Sequence, residues 1–227
     1  MKEGLVNLVN KVDSSEIKNF IFRIISAILF IPFIILPIIL KSYLLYLFYI
    51  FLLSLMTAEL LNMAKIARKK IFLYIYLLVS IFTIFVFIIF IASTTDTNLK
   101  IIEIIVLIWI FDTFCYLGGK IMNGRKLMPK ISKGKTFNGL YCGIFFTFLI
   151  SYLYSLYIYG NFSLLLIITI PIIVLSFLGD LVVSLLKRSI NIKDTGNIMP
   201  GHGGIIDRMD SFIFVFFVIN IYLLIFI

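Results

Sequence analysis

Long apolar runs separated by short polar stretches constrain the fold of this chain more than any other feature. A helix needs about 20 mostly apolar residues to cross roughly 30 Å of hydrocarbon. Hydrophobic residues make up 62% of the 227 residues, well above the share of a soluble domain. The sequence therefore predicts an all-α integral membrane protein with about seven transmembrane helices. The predicted spans are residues 19–40, 43–64, 71–93, 99–119, 139–159, 163–187 and 211–227.

The positions of lysine and arginine predict the orientation of these spans, because cationic loops stay on the cytoplasmic side. With a cytoplasmic N-terminus, all of the 20 Lys and Arg residues except Lys41 and Lys100 lie on the inner side. We therefore expect a multi-pass protein of the plasma membrane with an inner N-terminal segment, 1–18. Contact with anionic lipid headgroups explains the net charge of +9, so no nucleic-acid partner is invoked.

Four carboxylates fall within predicted spans, where each costs about 2.5–3.5 kcal/mol at the bilayer centre. Glu59, Asp112 and Asp180 are predicted to lie at one depth on the inner side. Glu103 lies at the outer end of its span and is interpreted as a wetted interfacial group. For Glu59 and Asp112, a structural hydrogen bond between helices is an equally open interpretation.

The segment 179–211 has the highest density of polar residues. Its helical part places Asp180, Ser184, Lys187 and Arg188 at positions i, i+4, i+7 and i+8, which share one face of a helix. A carboxylate, a hydroxyl and two cations are therefore predicted to face one cavity.

A loop of about 20 residues follows this helix and carries Lys193, Asp194 and the run Gly201–Gly204, which includes His202. Glycine clusters let backbone N–H groups approach an anion closely. Asp207 and Asp210 then share one face at the start of the last helix. Carboxylates among cations favour a site for Mg²⁺ and a polyphosphate, the alternative being a solvated loop whose charges pair among themselves.

A second inner loop, 118–139, is basic and glycine-rich. Its stretch Ser132–Thr136 superficially resembles a phosphate-binding P-loop, but the full spacing and the preceding soluble strand are missing, so that fold is rejected. A basic inner loop is also what membrane topology alone predicts.

The polar segment resembles the signature of the phosphatidate cytidylyltransferase family in residue types and spacing. Matching positions are Ser184, Lys187, Arg188, Lys193, Asp194, Pro200, Gly201, His202, Gly203, Gly204, Asp207, Arg208 and Asp210. Further similarity covers Gly179–Leu181, Asp112–Thr113, Glu59, Arg23 and the loop 132–139. The loop departs from the family pattern at Lys133, Gly134 and Asn138, and Cys142 replaces a glycine.

The resemblance implies transfer of the cytidylyl group of CTP to phosphatidic acid, giving CDP-diacylglycerol and pyrophosphate. It implies Mg²⁺, with a second metal ion as an open option, membrane lipids as surroundings and a homodimer as one option. Residues 19–98 would form N-terminal spans and 99–227 the catalytic region. The implied metal ligands are Asp180, Asp207 and Asp112. The implied catalytic residues are Asp194, Lys187, Arg188, His202 and Asp210. The implied substrate-binding residues are Ser184, Lys193, Gly201, Gly203, Gly204, Arg208, Lys135 and Ser132.

Two alternatives remain open on the sequence. A CTP-dependent polyprenol or dolichol kinase would share parts of this architecture. A membrane transporter could use the inner carboxylates as an ion path, but inverted repeats of the apolar segments, which would support it, are not seen.

Overall fold

The structure is a computed structural model that describes residues 32, 34–40, 43–68, 70–93, 97–159, 164–196, 198 and 203–226. Most of the predicted first span lies outside these residues, although its final part, 34–40, is helical. The helices that follow are α1 Tyr43–Ile66, α2 Ile71–Ser93, α3 Thr97–Ile121, α4 Phe137–Tyr159, α5 Leu164–Ser189 and α6 Ile206–Phe226. Two short strands, β1 Lys126–Met128 and β2 Ser132–Thr136, separate α3 from α4.

Within the described part of the chain, six helices are long and apolar enough to cross a membrane. All six carry large apolar side chains on their outer surface, such as Phe85 on α2 and Phe145 on α4. A protein in water rarely exposes so much contiguous apolar surface, whereas hydrocarbon covers it without cost. The prediction of an all-α integral membrane protein is confirmed.

The predicted spans from 43 to 187 agree with α1 to α5 to within two residues at each end. The start of the last span was predicted wrongly, because α6 begins at Ile206 and not at 211. Asp207 and Asp210 are charged, and charged residues are not expected inside a membrane span. The helix dipole nevertheless favours an acidic residue in the first turn of a helix, where Asp207 lies. The predicted span therefore left out the polar first turns of this helix, where the sequence had placed Asp207 and Asp210.

The basic loop between α3 and α4 forms an antiparallel hairpin that the sequence did not predict. Thr136 pairs with Lys126 and Ser132 pairs with Met128. The chain reverses into the hairpin through Asn123 and Gly124, both with positive φ (49° and 116°). Strands this short carry too little apolar alternation to be recognised from sequence.

Helices α3 and α4 approach each other closely because glycines line their contact. A Cβ atom added at Gly139 would lie 2.5 Å from the Cys115 carbonyl oxygen, and one at Gly118 would overlap the Cys142 side chain. Small residues at helix contacts let membrane helices pack backbone to backbone. This packing fixes the hairpin over one end of the bundle.

Candidate active site

A cavity of about 550 Å³ opens at the end of the bundle that carries the hairpin. Helices α3 and α5, the hairpin and the loop after α5 contribute its walls. The residues predicted from sequence that line it are Asp112, Ser132, Lys135, Asp180, Ser184, Lys187, Arg188, Lys193 and Asp194. The tertiary structure thus brings together side chains that are up to 82 positions apart, counted from Asp112 to Asp194.

Asp180 and Lys135 form an ion pair inside this cavity, with Lys135 Nζ 2.7 Å from Asp180 Oδ2. Ser184, one turn further along α5, donates a hydrogen bond of 3.3 Å to Asp180 Oδ1. Lys135 Nζ also lies 4.9 Å from the centre of the Phe177 ring, a favourable cation–π arrangement. The predicted shared face of α5 is therefore confirmed, and the hairpin supplies the cation that faces it.

Asp112 and Asp210 approach Asp180 from two other helices. Ser176 of α5 donates a hydrogen bond of 3.1 Å to Asp112 Oδ1. Asp210 of α6 is close enough to interact electrostatically with both Asp112 and Asp180. Gly179 makes this approach possible, because a Cβ atom there would lie 2.6 Å from the Asp210 carbonyl oxygen. Three carboxylates from three helices therefore share one region of the bundle.

Arg188 connects the hairpin with the loop after α5. Its Nε donates to the Ile131 carbonyl oxygen at 3.0 Å, and its Nη1 donates to that of Ile192 at 2.9 Å. The guanidinium group is otherwise exposed at the cavity wall. It holds two cavity-lining segments in place, and the role in phosphate binding predicted for it stays a prediction.

A second polar cluster orders the loop before α6, and its centre is Asp207. Lys187 Nζ lies 2.6 Å from Asp207 Oδ1. The other oxygen, Oδ2, accepts hydrogen bonds from Thr195 N at 2.9 Å, Thr195 Oγ1 at 3.1 Å and Gly204 N at 3.1 Å. Both oxygens thus have protein donors, which favours a loop-ordering role over the metal-ligand role that the sequence suggested.

Glu59 belongs to the same cluster and reaches it from α1. Its Oε1 accepts a hydrogen bond from Ile205 N at 2.9 Å, and its Oε2 accepts one from Ile206 N at 3.1 Å. The Thr195 hydroxyl lies 3.1 Å from both Glu59 Oε2 and Asp207 Oδ2, so its one hydrogen is shared between the two carboxylates. The side chain is buried, and a carboxylate at a helix N-terminus pairs with otherwise unsatisfied amides. Of the two interpretations left open for Glu59, these contacts support the structural hydrogen bond. We call Glu59, Lys187, Thr195, Gly204 and Asp207 the loop anchor.

Glycines make room for the loop anchor. A Cβ atom at Gly204 would lie 2.5 Å from Glu59 Oε2, and one at Gly196 would lie 2.6 Å from Oε1. Gly203 adopts φ +89°, which side-chain-bearing residues rarely adopt, and a Cβ atom there would lie 2.8 Å from Asp207 Oδ2. Gly203 and Gly204 were predicted to approach an anion, and the anions that they approach in the described structure are the carboxylates of the loop anchor.

The remaining predicted residues lie in different places. Gly201 and His202 fall outside the described residues, so their predicted roles are not tested. Arg208 is exposed on the first turn of α6. Thr195 was missed by the sequence reasoning, although its position directly after Lys193 and Asp194 in the signature was a signal that could have found it.

The donors at the cavity suit Mg²⁺, which binds hard oxygen ligands and takes one or two carboxylates together with substrate phosphates. Among the described residues, no group of three or more His, Cys, Asp or Glu side chains is arranged to hold a metal ion by itself. Asp112 and Asp180 are carboxylates that face the cavity. Together with water molecules and the oxygens of a polyphosphate, they could provide the two protein carboxylates that such a Mg²⁺ site needs.

Residues 70–226, which include α2 to α6 and the whole cavity, match the model of the cytidylyltransferase family. The chain belongs to this family. The matched region begins after α1, so Glu59 lies outside it.

Three named relatives show which members of this family the chain resembles. The chain is 44% identical over 143 residues to a phosphatidate cytidylyltransferase of Rickettsia typhi, which covers 58% of this chain and 63% of the relative. It is 42% identical over 121 residues to one of Staphylococcus epidermidis, covering 52% and 46%. A Rickettsia felis protein of the same name matches at 35% over 205 residues, covering 86% and 88%. The chain thus spans about half to two thirds of the first two relatives and most of the third.

Proposed function

We propose that this chain transfers the cytidylyl group of CTP to phosphatidic acid, releasing pyrophosphate and forming CDP-diacylglycerol. One observation carries the proposal: a cavity between membrane helices holds the carboxylates Asp112 and Asp180 beside the cations Lys135, Lys187 and Lys193. Family membership and relatives named phosphatidate cytidylyltransferase support it.

The reaction sets two demands that this lining can meet. The phosphate oxygen of phosphatidic acid attacks the α-phosphorus of CTP, and the bond from that phosphorus to the leaving pyrophosphate breaks. A phosphomonoester with a second pKa of about 6 is already mostly ionised at neutral pH, so the nucleophile needs no strong base. The protein must instead neutralise and align two polyanions that repel each other. Lys135 and Lys193 enter the cavity from the hairpin and from the loop after α5, so they can contact phosphates from two sides.

Asp112 and Asp180 would hold Mg²⁺, which when bound would neutralise charge on the CTP phosphates. Lys135 forms an ion pair with Asp180 at 2.7 Å. If the Asp180 carboxylate binds a metal ion, Lys135 would be free to move toward a phosphate group. Ser184 would keep Asp180 oriented through its hydrogen bond to Oδ1.

The position of the cavity suits a soluble nucleotide and a membrane lipid. Hairpin residues and the loop after α5 form its open end, whereas Phe111, Cys115 and Phe177 line its deeper part within α3 and α5. CTP would enter from the aqueous side while the acyl chains of phosphatidic acid stay in lipid. The loops at the open end of the cavity are rich in lysine and arginine, and such loops stay on the cytoplasmic side of a membrane. We therefore assign the open end to the cytoplasm.

An assay with purified protein tests the reaction. Labelled CTP and phosphatidic acid in detergent micelles should give CDP-diacylglycerol and pyrophosphate in a Mg²⁺-dependent way. Replacing CTP by ATP should stop the reaction. Phosphorylation of a polyprenol by CTP, with no turnover of phosphatidic acid, would instead establish the lipid-kinase alternative.

Two carboxylates of α3 provide a matched pair for this assay. Asp112 faces the cavity, whereas Glu103 lies about two and a half turns toward the other end of the helix and accepts a hydrogen bond of 3.0 Å from Tyr154. Asp112→Asn should abolish turnover, and Glu103→Gln should retain it. Equal losses in both variants would mean that intramembrane charge supports the fold and not the chemistry.

Cysteine labelling tests the assigned orientation. In a background with Cys115 and Cys142 replaced by alanine, a cysteine at Lys130 in the hairpin turn is compared with one at Asn161 between α4 and α5. A membrane-impermeant maleimide added to intact cells should label Asn161→Cys and should spare Lys130→Cys. The opposite pattern would invert the assignment.

A further inference from the structure

Tyr76, on the second turn of α2, carries a hydroxyl group that has no hydrogen-bond partner in the part of the chain that the structure describes. Its side chain is only 5% exposed, and no atom among the described residues forms a hydrogen bond with its oxygen. Leaving a buried hydroxyl unpaired is unfavourable, so such a group in a folded protein needs a specific explanation. Phenylalanine would fill the same space without that cost.

The start of α2 lies at the same end of the bundle as the start of α6. Only four residues separate Ile66, the last residue of α1, from Ile71, the first of α2. Near that end of α1, Glu59 accepts hydrogen bonds from the first amides of α6. Tyr76 and Asp210 each lie in the second turn of their helix, about 6–8 Å in from its start at 1.5 Å per residue.

Two carboxylates are close enough to Tyr76 to interact electrostatically with its hydroxyl group, namely Asp210 and Asp207. Asp207 already accepts contacts from Lys187, Thr195 and Gly204 on both of its oxygens. Asp210 accepts a hydrogen bond from Ser211 N at 2.8 Å on Oδ1. A carboxylate has about four lone-pair sites, so Asp210 has capacity for a further donor.

We propose that the Tyr76 hydroxyl group donates to the Asp210 carboxylate through one bridging water molecule and positions it against Asp112 and Asp180. Tyr76 does not line the cavity, so it acts through Asp210 and is a positioning residue. This inference goes beyond the proposed reaction but rests on it for its effect on turnover. The donor would hold Asp210 in one rotamer, which keeps the distance between three mutually repelling carboxylates fixed.

Tyr49 provides the matched control. It is buried like Tyr76, but its hydroxyl group donates to the Ile34 carbonyl oxygen at 2.7 Å, a purely structural partner. The same change, Tyr→Phe, is therefore made at both positions in the full-length protein in detergent. Tyr76→Phe should lower kcat about tenfold or more with little change in KM for CTP, because a hydrogen bond to a charged group is lost. Tyr49→Phe should leave kcat unchanged.

A double-mutant cycle in melting temperature gives a second measurement that needs no turnover. Tyr76→Phe and Asp210→Asn are made singly and together, and the shift caused by Tyr76→Phe should differ according to whether Asp210 is intact or replaced. Additive shifts, or a kcat for Tyr76→Phe equal to that of Tyr49→Phe, would overturn the inference. A coupled melting temperature in a protein that does not turn over CTP would overturn the proposed reaction and leave the contact standing.

Discussion

Two groups of carboxylates lie at the same end of the bundle and differ in the hydrogen-bond donors that surround them. In the loop anchor, Glu59 and Asp207 accept hydrogen bonds from backbone amides, a threonine hydroxyl and a lysine, so their oxygens are committed to the fold. At the cavity, Asp112 and Asp180 each accept a hydrogen bond from a serine hydroxyl, and Asp180 also forms an ion pair with a lysine. The hydrogen-bond donors around a carboxylate therefore decide its role. Glu59 and Asp207 order a loop, whereas Asp112 and Asp180 can exchange their present partners for a ligand.

The largest effect is expected for Asp180→Asn. The variant removes the charge that pairs with Lys135 and that would hold the proposed Mg²⁺, so turnover should fall about 100-fold or more. The melting temperature should stay near that of the unmodified protein, because Asp180 is partly exposed and Asn can still accept from Ser184. Substantial activity at ordinary Mg²⁺ concentrations would show that the cavity carboxylates are not the functional ones.

Asp207→Asn should lower stability and turnover together. Asn cannot present two acceptor oxygens, so its amide would face either Lys187 or the donors Thr195 and Gly204. Breaking this largely buried pair should cost about 2–4 kcal/mol in unfolding free energy. Thermal unfolding in detergent measures the loss beside the activity assay. Complete loss of turnover at an unchanged melting temperature would instead support the metal-ligand role suggested by the sequence.

Glu59→Gln should destabilise the loop anchor without removing any group from the cavity. Its amide would face at least one of the donors Ile205 N, Ile206 N and Thr195 Oγ1, at a cost of about 1–3 kcal/mol. Hydrogen exchange at the start of α6 should become faster. If activity per folded molecule falls as strongly as in Asp180→Asn while exchange is unchanged, the distinction between the two groups is wrong.

The smallest effect is expected at Asn138, where this chain departs from the family pattern. Asn138 Nδ2 donates to the Met122 carbonyl oxygen at a long 3.4 Å, so Asn138→Ala should keep activity within about tenfold. Arg188→Ala removes two bonds of 3.0 and 2.9 Å that join the hairpin to the loop after α5, and it should lose more. A reversed order at matched protein levels would mean that Asn138 itself takes part in the reaction.

Much of the architecture followed from sequence because the membrane imposes a simple rule. Apolar runs of about 20 residues must become helices when no water is available for the backbone, so the bounds of α1 to α5 were predictable. The shared face of Asp180, Ser184, Lys187 and Arg188 was predictable for a similar reason, since helical periodicity fixes it locally. The spacing of the signature from Ser184 to Asp210 predicted the family.

Only the tertiary structure decided which acidic groups work together. In the sequence, Glu59 and Asp180 are both carboxylates within predicted membrane spans. In the structure, the Glu59 side chain extends from α1 to the N-terminus of α6, whereas Asp180 forms an ion pair with Lys135 of the hairpin. The partners of these groups are 146 and 45 residues away along the chain, and no local pattern encodes such distances. The chemistry of a carboxylate depends on the donors around it, and those donors come together only when the helices pack.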